Sequence, residues 1–390
     1  MSIYLTLFLI LFGMIGLAAV LPFQIIPRII RRAAQWGILD FPDRRKAHAK
    51  PTPRLGGLSL MPAVWLGCAI ALLLSSAFDI QALSANLSLF TKAVIGFLIG
   101  STGIFLLGMV DDFRRLTATH KLLSQILISA VVVHFLPMPH SVLGFELNPW
   151  LIQTVFFGWL VIIPNSVNLM DGVDGLTSSM CSAFLLTCAL MSLLLGELGW
   201  LLILLPTLAA VLSFLRFNWK PARIFLGDSG SLLLGFAVAH LSLLMATTPA
   251  SGENWNPLIS LFLVFVWILD TSLAIFRRYF GKIPSAQILV RRSRGTYLNL
   301  HRNALANIVR PDKKHLHHQL LQRGYSAPAV ALFLSAAALA FSMISLSIWS
   351  HLALGHTTWS SGLSSFCLYM GLMSIASLFL RALYPLRKSR

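Results

Sequence analysis

The sequence predicts an all-α integral membrane protein of about 11 transmembrane helices, with the N-terminus outside and the C-terminus cytoplasmic. Three observations carry this. Hydrophobic residues make up 57% of the 390 and charged residues 11%, with a mean hydropathy of +0.79. A soluble globule of that length needs more polar surface. Apolar runs long enough to cross about 30 Å of hydrocarbon recur along the whole chain, and the basic residues fall in alternate connections between them.

The runs lie near 3–25, 56–77, 90–110, 121–136, 150–167, 176–195, 199–216, 231–247, 257–276, 328–349 and 361–383. The first has no cationic leader and exceeds a secretory apolar core, so it reads as a retained helix. With the N-terminus outside, segments 28–54, 110–121, 216–223, 277–323 and the tail from Arg381 are cytoplasmic. They hold 29 of the 30 Lys and Arg residues, and Lys92 is the exception. Topology and anionic headgroups therefore account for most of the net charge of +17. No helix-turn-helix, zinc-finger or aromatic RNA-binding pattern occurs, so no nucleic-acid partner is expected. Cys68, Cys181, Cys188 and Cys367 sit in apolar segments without CxxC spacing and read as small core residues.

Four polar clusters fall on the cytoplasmic side: VDDFRRLTATHK (110–121), NSVNLMDGVDGL (165–176), FNWKPARIFLGDSGS (217–231) and PDKKHLHHQLL (311–321). Asp111, Asp112, Asp171, Asp174 and Asp228 begin or end spans, and they are five of only thirteen acidic residues. Hard oxygen ligands at this density suit Mg²⁺ or Mn²⁺, and the accompanying His, Lys and Arg suit phosphate. Each cluster alone is weak. DGVDG lacks the Glu of an EF-hand loop, and GDSGS lacks the GK[ST] of a P-loop.

Taken together, these motifs resemble the polyprenyl-phosphate N-acetylhexosamine-1-phosphate transferases, glycosyltransferase family 4. The likeness runs from LDFPDRRKAHAKPTPRLGG (39–57) through the four clusters in the family's order. It implies one polytopic domain over 1–390 that moves a sugar 1-phosphate from a UDP-sugar to undecaprenyl phosphate, with a divalent cation and the lipid bilayer as further partners. Homodimerisation is left open. By the same resemblance, Asp111, Asp112, Lys121 and Asp174 match catalytic positions, and Asp228, Asn168 and Asp171 match metal-site positions. His315, His317 and His318 match the histidine motif that faces the sugar phosphate, and Asn165, in the matched 165–176 cluster, is a further substrate candidate. Lys46, His48 and Arg54 lie in the first cytoplasmic loop, where their charges suit substrate phosphate. HLHHQLL is closer to the N-acetylglucosamine-1-phosphate branch, which initiates O-antigen, common antigen or teichoic-acid linkage units, than to the phospho-N-acetylmuramoyl-pentapeptide branch. One departure is the basic segment 283–310 between spans nine and ten, where the family has only a few residues. A transporter reading is disfavoured, because transporters place ionisable residues at the bilayer midplane within repeats. Here the clustered acids lie at one interface, Asp270 being the deepest at about six residues from the end of its span, and no repeat is found.

Overall fold

A computed structural model describes residues 3–42, 50–77, 86–247, 254–280, 315–353, 364–365 and 367–373. Lys46, His48, the 283–310 segment and most of the expected eleventh span lie outside the described residues. Among those described, nine helices are long and apolar enough to cross a membrane. They are α1 (Ile3–Arg32), α2 (Gly57–Ala77), α3 (Leu87–Arg114), α4 (Ala118–Val132), α5 (Pro149–Met170), α6 (Leu176–Leu195), α7 (Leu198–Asn218), α8 (Gly227–Ala246) and, after three shorter helices, α12 (Ala327–Ala353). The chain is a multi-pass membrane protein.

The core is built round α8. Every residue from Ser229 to Ala246 is buried, as befits a helix that is apolar on all sides. It packs against α2, α3, α5 and α6. By contrast, α1 and α4 turn large apolar side chains outward, among them Phe8, Phe12, Leu123 and Leu127. In a membrane those faces meet lipid.

Local signals set the helix ends. Asn86, Thr117 and Asn148 cap α3, α4 and α5 with side-chain oxygens that accept backbone N–H bonds. Helix α5 has Pro149 at its first turn, where no N–H is missed. Gly175 and Gly196, both at positive φ, bracket α6.

The structure departs from the sequence expectation in two places. The run 257–276 is not one straight span. It forms α9 (Pro257–Leu263) and α10 (Phe265–Phe280), bent by 81° at Val264. Phe262, Phe265 and Phe341 cluster across the bend with centroids 4.3 to 6.2 Å apart. Ser345 of α12 donates to the Ile259 carbonyl, a side-chain bond of the kind that steadies irregular helices inside a bundle. Short strands also occur. β1 (Leu39–Asp40) pairs antiparallel with β2 (Thr52–Pro53). β3 (Ser141–Val142) lies between β4 (Phe145–Glu146) and β5 (Asn254–Trp255). The β3–β4 turn places Leu143 and Gly144 at φ +52° and +84°, the type I′ signature of a tight hairpin. Two-residue strands leave no alternation to read in a sequence.

Candidate active site at the charged end of the bundle

Helix α3 ends in a tight corner. Arg115 takes a left-handed conformation, and its N–H returns to the Asp111 carbonyl. The Asp111 carboxylate fills that corner: Oδ1 accepts from the Leu116 N–H at 2.6 Å, and Oδ2 accepts from Lys121 Nζ at 3.0 Å. Lys121, one turn into α4, also donates to Asp228 Oδ2 at 2.6 Å. One ammonium therefore joins two carboxylates that are 117 residues apart. Asp228 is held from its other side by Asn168 Nδ2, 2.7 Å from Oδ1, and the same amide reaches Ser231 Oγ at 2.7 Å.

Asp112 behaves differently from its neighbour. Its two oxygens accept the backbone N–H groups of Asp228 and Ser229, at 2.8 and 3.0 Å. It thereby caps α8, where a negative charge also meets the favourable end of the helix dipole. The close approach depends on Gly108, where a Cβ would sit 2.4 Å from the Asp228 carbonyl oxygen. Gly57 at the start of α2 does the same against Ser229. The β1–β2 hairpin docks alongside: Phe225 N–H bonds the Pro53 carbonyl, and Arg54 pairs with Asp40. Arg54 is the one first-loop candidate among the described residues.

One amide fixes the next loop. Asn218 Oδ1 accepts from Gly175 N–H and from Ser178, while its Nδ2 donates to the Ile224 carbonyl. It ties the 171–176 turn to the 217–226 loop. The Asp174 carboxylate accepts from Ala222 N–H at 3.2 Å. Asn165 is not turned to the site; it bonds Gln125 of α4 at 2.7 Å and the Val161 carbonyl. This amide pair lies one turn deeper than Lys121 and Asn168 and holds α4 against α5. Asp171 is half-buried at the end of α5. Burial pushes its carboxyl up to about 7, and the negative charges of Asp228, Asp112 and Asp174 act in the same direction.

The histidine motif opens α11 (Leu316–Gln322). Its second histidine, His317, is buried and lies against the backbone of Gly172, where a Cβ would meet Nε2 at 2.4 Å. Burial and the neighbouring histidines push His317 down to about 3, so the ring is neutral at pH 7. His315 bonds Asp270 of α10, and His318 packs beside His317 with ring centroids 4.2 Å apart. The structure thus brings Asp111, Lys121, Asn168, Asp228, Asp171, Asp174 and the three histidines to one end of the bundle. Sequence reasoning missed Asn218 and Gln125, which are neutral and carry no charge signal. It noticed Asp270 only for its depth.

The glycosyl transferase family 4 profile matches residues 94–246, a stretch that runs from α3 to the end of α8. The chain is 32% identical over 308 residues to the probable undecaprenyl-phosphate N-acetylglucosaminyl 1-phosphate transferase of Bacillus subtilis, spanning 77% of this chain and 75% of that one. It is 30% identical over 320 residues to the decaprenyl-phosphate N-acetylglucosaminephosphotransferase of Mycolicibacterium smegmatis, spanning 75% and 71%. Likeness to the phospho-N-acetylmuramoyl-pentapeptide-transferase of Lactococcus lactis is 31% over 262 residues, spanning 62% and 73%. The chain is an enzyme and belongs to glycosyl transferase family 4, the polyprenyl-phosphate N-acetylhexosamine-1-phosphate transferases.

Proposed function

We propose that the enzyme transfers N-acetylglucosamine 1-phosphate from UDP-N-acetylglucosamine to undecaprenyl phosphate at the cytoplasmic face of the cell membrane, releasing UMP. The product would begin a cell-envelope glycan such as O-antigen, common antigen or a teichoic-acid linkage unit. The observation that carries the reading is the junction of Lys121 with Asp111 and Asp228 at the mouth of α8. There, cationic and acidic groups stand side by side at the end of an otherwise apolar bundle. The activities named for the Bacillus and Mycolicibacterium relatives support both the sugar and the polyprenyl phosphate acceptor.

Among the described residues, no three His, Cys, Asp or Glu side chains form a metal cage. Magnesium ordinarily asks for less: one or two carboxylates, with water and substrate phosphate oxygens completing the octahedron. Asp228, with its side chain 31% exposed, fits that description. Asn168 orients Asp228. A bound Mg²⁺ would supply charge neutralisation for the diphosphate and the departing UMP.

The protein's own groups then hold the reactants in line. An oxygen of the lipid phosphate forms a bond to the sugar-linked phosphorus as the bond from that phosphorus to the UMP oxygen breaks, and the electron pair leaves with UMP. A phosphate monoester has its second pKa near about 6, so the lipid phosphate is mostly dianionic at pH 7 and needs no strong base. Asp111 has both oxygens engaged, by Leu116 and Lys121, which argues against its attacking first.

The deciding experiment measures UMP release from purified protein with and without polyprenyl phosphate. The donors are UDP-N-acetylglucosamine, UDP-N-acetylgalactosamine and UDP-N-acetylmuramoyl pentapeptide. Turnover restricted to the pentapeptide donor would move the chain to the other branch. A phosphorus-chiral donor should give inversion; retention together with lipid-independent exchange of labelled UMP would make an aspartate the nucleophile.

A further inference from the structure

We infer that Asp270 is a positioning residue for this reaction, acting through the first histidine of the HLHH motif. The inference rests on the reading of that motif as a contact for the sugar nucleotide. Asp270 is fully buried in α10, below the bend at Val264. Its two oxygens have separate tasks. Oδ1 accepts the Leu316 backbone N–H at 2.7 Å, and Oδ2 lies 2.7 Å from His315 Nδ1.

A buried carboxylate is costly unless both oxygens are satisfied, and here the two bonds do so from consecutive residues. Since an ionised carboxylate only accepts, Nδ1 of His315 must carry the proton. That leaves Nε2 as the nitrogen offered to a ligand. The same arrangement, an imidazole with one nitrogen held by a carboxylate and the other presented, recurs wherever a histidine must keep one tautomer and one orientation. His315 and His317 stack with parallel rings, 5° apart in plane and 6.0 Å between centroids. His317 in turn lies on Gly172, next to Asp171. Asp270 therefore sets the position of the whole motif against the 165–176 loop. It also ties residue 270 to residue 315, so the length of chain between them need not alter the site.

The test is a double-mutant cycle on the full-length enzyme in detergent with polyprenyl phosphate. Asp270→Asn keeps the volume and one acceptor, but it cannot bond both Leu316 N–H and a protonated Nδ1. Roughly 10- to 100-fold loss of kcat/KM is expected, the range seen when the partner of a ligating histidine is removed. His315→Ala should lose at least as much. The double variant should be no worse than His315→Ala, with the same split between KM and kcat. Additive losses, or an Asp270→Asn enzyme of normal kcat/KM, would overturn the positioning role. A harmless His315→Ala would instead overturn the reading of the motif. Should Asp270→Asn unfold, His315→Gln replaces it: its amide stands at the Nε2 position without the Asp270 bond. It should fail as His315→Ala does, and near-normal turnover would show that the orientation is dispensable.

Discussion

Lys121→Met removes a charge while keeping most of the side-chain volume. The two bonds of Lys121 cap the separation of Asp111 Oδ2 and Asp228 Oδ2 at about 5.6 Å. With the ammonium gone, two carboxylates at that distance repel by about 3 kcal/mol at an effective dielectric of about 20. Asp228 is nearly a third exposed, so solvent screening reduces this to about 1–2 kcal/mol. A domain stable by about 5–15 kcal/mol stays folded after such a loss, and the detergent melting temperature should fall by a few degrees at most. Turnover should fall far more. Removing a preorganised charge from a transferring phosphoryl group costs about 10²- to 10³-fold.

The assay is UMP release at saturating lipid, run beside thermal unfolding of the same preparation. Lys121→Arg should fall between the two, because a planar guanidinium keeps the charge but not the single point that both carboxylates share. A Lys121→Met enzyme within about threefold of normal kcat would refute the argument. So would a collapse in melting temperature that accounted for the whole loss.

Asp228→Asn retains the acceptor for Asn168 but loses the anion; turnover should vanish with the fold intact, and near-normal activity at low Mg²⁺ would remove Asp228 from the metal site. Gly108→Ala puts a methyl 2.4 Å from a backbone oxygen of α8; overpacking of about 1–3 kcal/mol is expected in thermal unfolding, and an unchanged melting temperature would mean that α3 yields freely. Deleting residues 285–308, where QILVRRSRGTYLNLHR mixes apolar and basic side chains suited to a membrane surface, should change sugar preference or lipid dependence more than the basal rate. Loss of all metal-dependent turnover in a well-folded deletion would make that segment part of the core chemistry.

Most long helices were legible in the sequence because a membrane span must be a run of apolar residues and nothing else competes with that requirement. The bend at Val264 was not. Hydropathy averages straight through residues 257–276, and the ring that packs on Phe265 at the bend is Phe341, far along the chain. Among site residues, Asp111, Asp171, Asp174 and Asp228 stood out because a carboxylate next to hydrocarbon needs a reason. Gln125 and Asn218 did not, since a neutral amide in an apolar helix resembles any other tolerated polar residue. Asp270 was visible as a deep acid, but its partner is 45 residues away, and only the fold supplies it.

The pair Asp111–Asp112 shows why sequence marks the place but not the division of work. Successive residues of a helix point about 100° apart, so adjacent aspartates at the end of α3 cannot serve the same partner. One turns into the α3–α4 corner and meets Lys121; the other turns inward and caps α8. Both are unfavourable at the C-terminal end of their own helix. Asp112 recovers that cost at the N-terminal end of another, and Asp111 recovers it from a cation. The second aspartate thus fixes where Asp228 begins its helix, and the first shares the charge that holds Asp228 in place. Two carboxylates that look redundant in GMVDDF set the position and the electrostatics of a third one more than a hundred residues later.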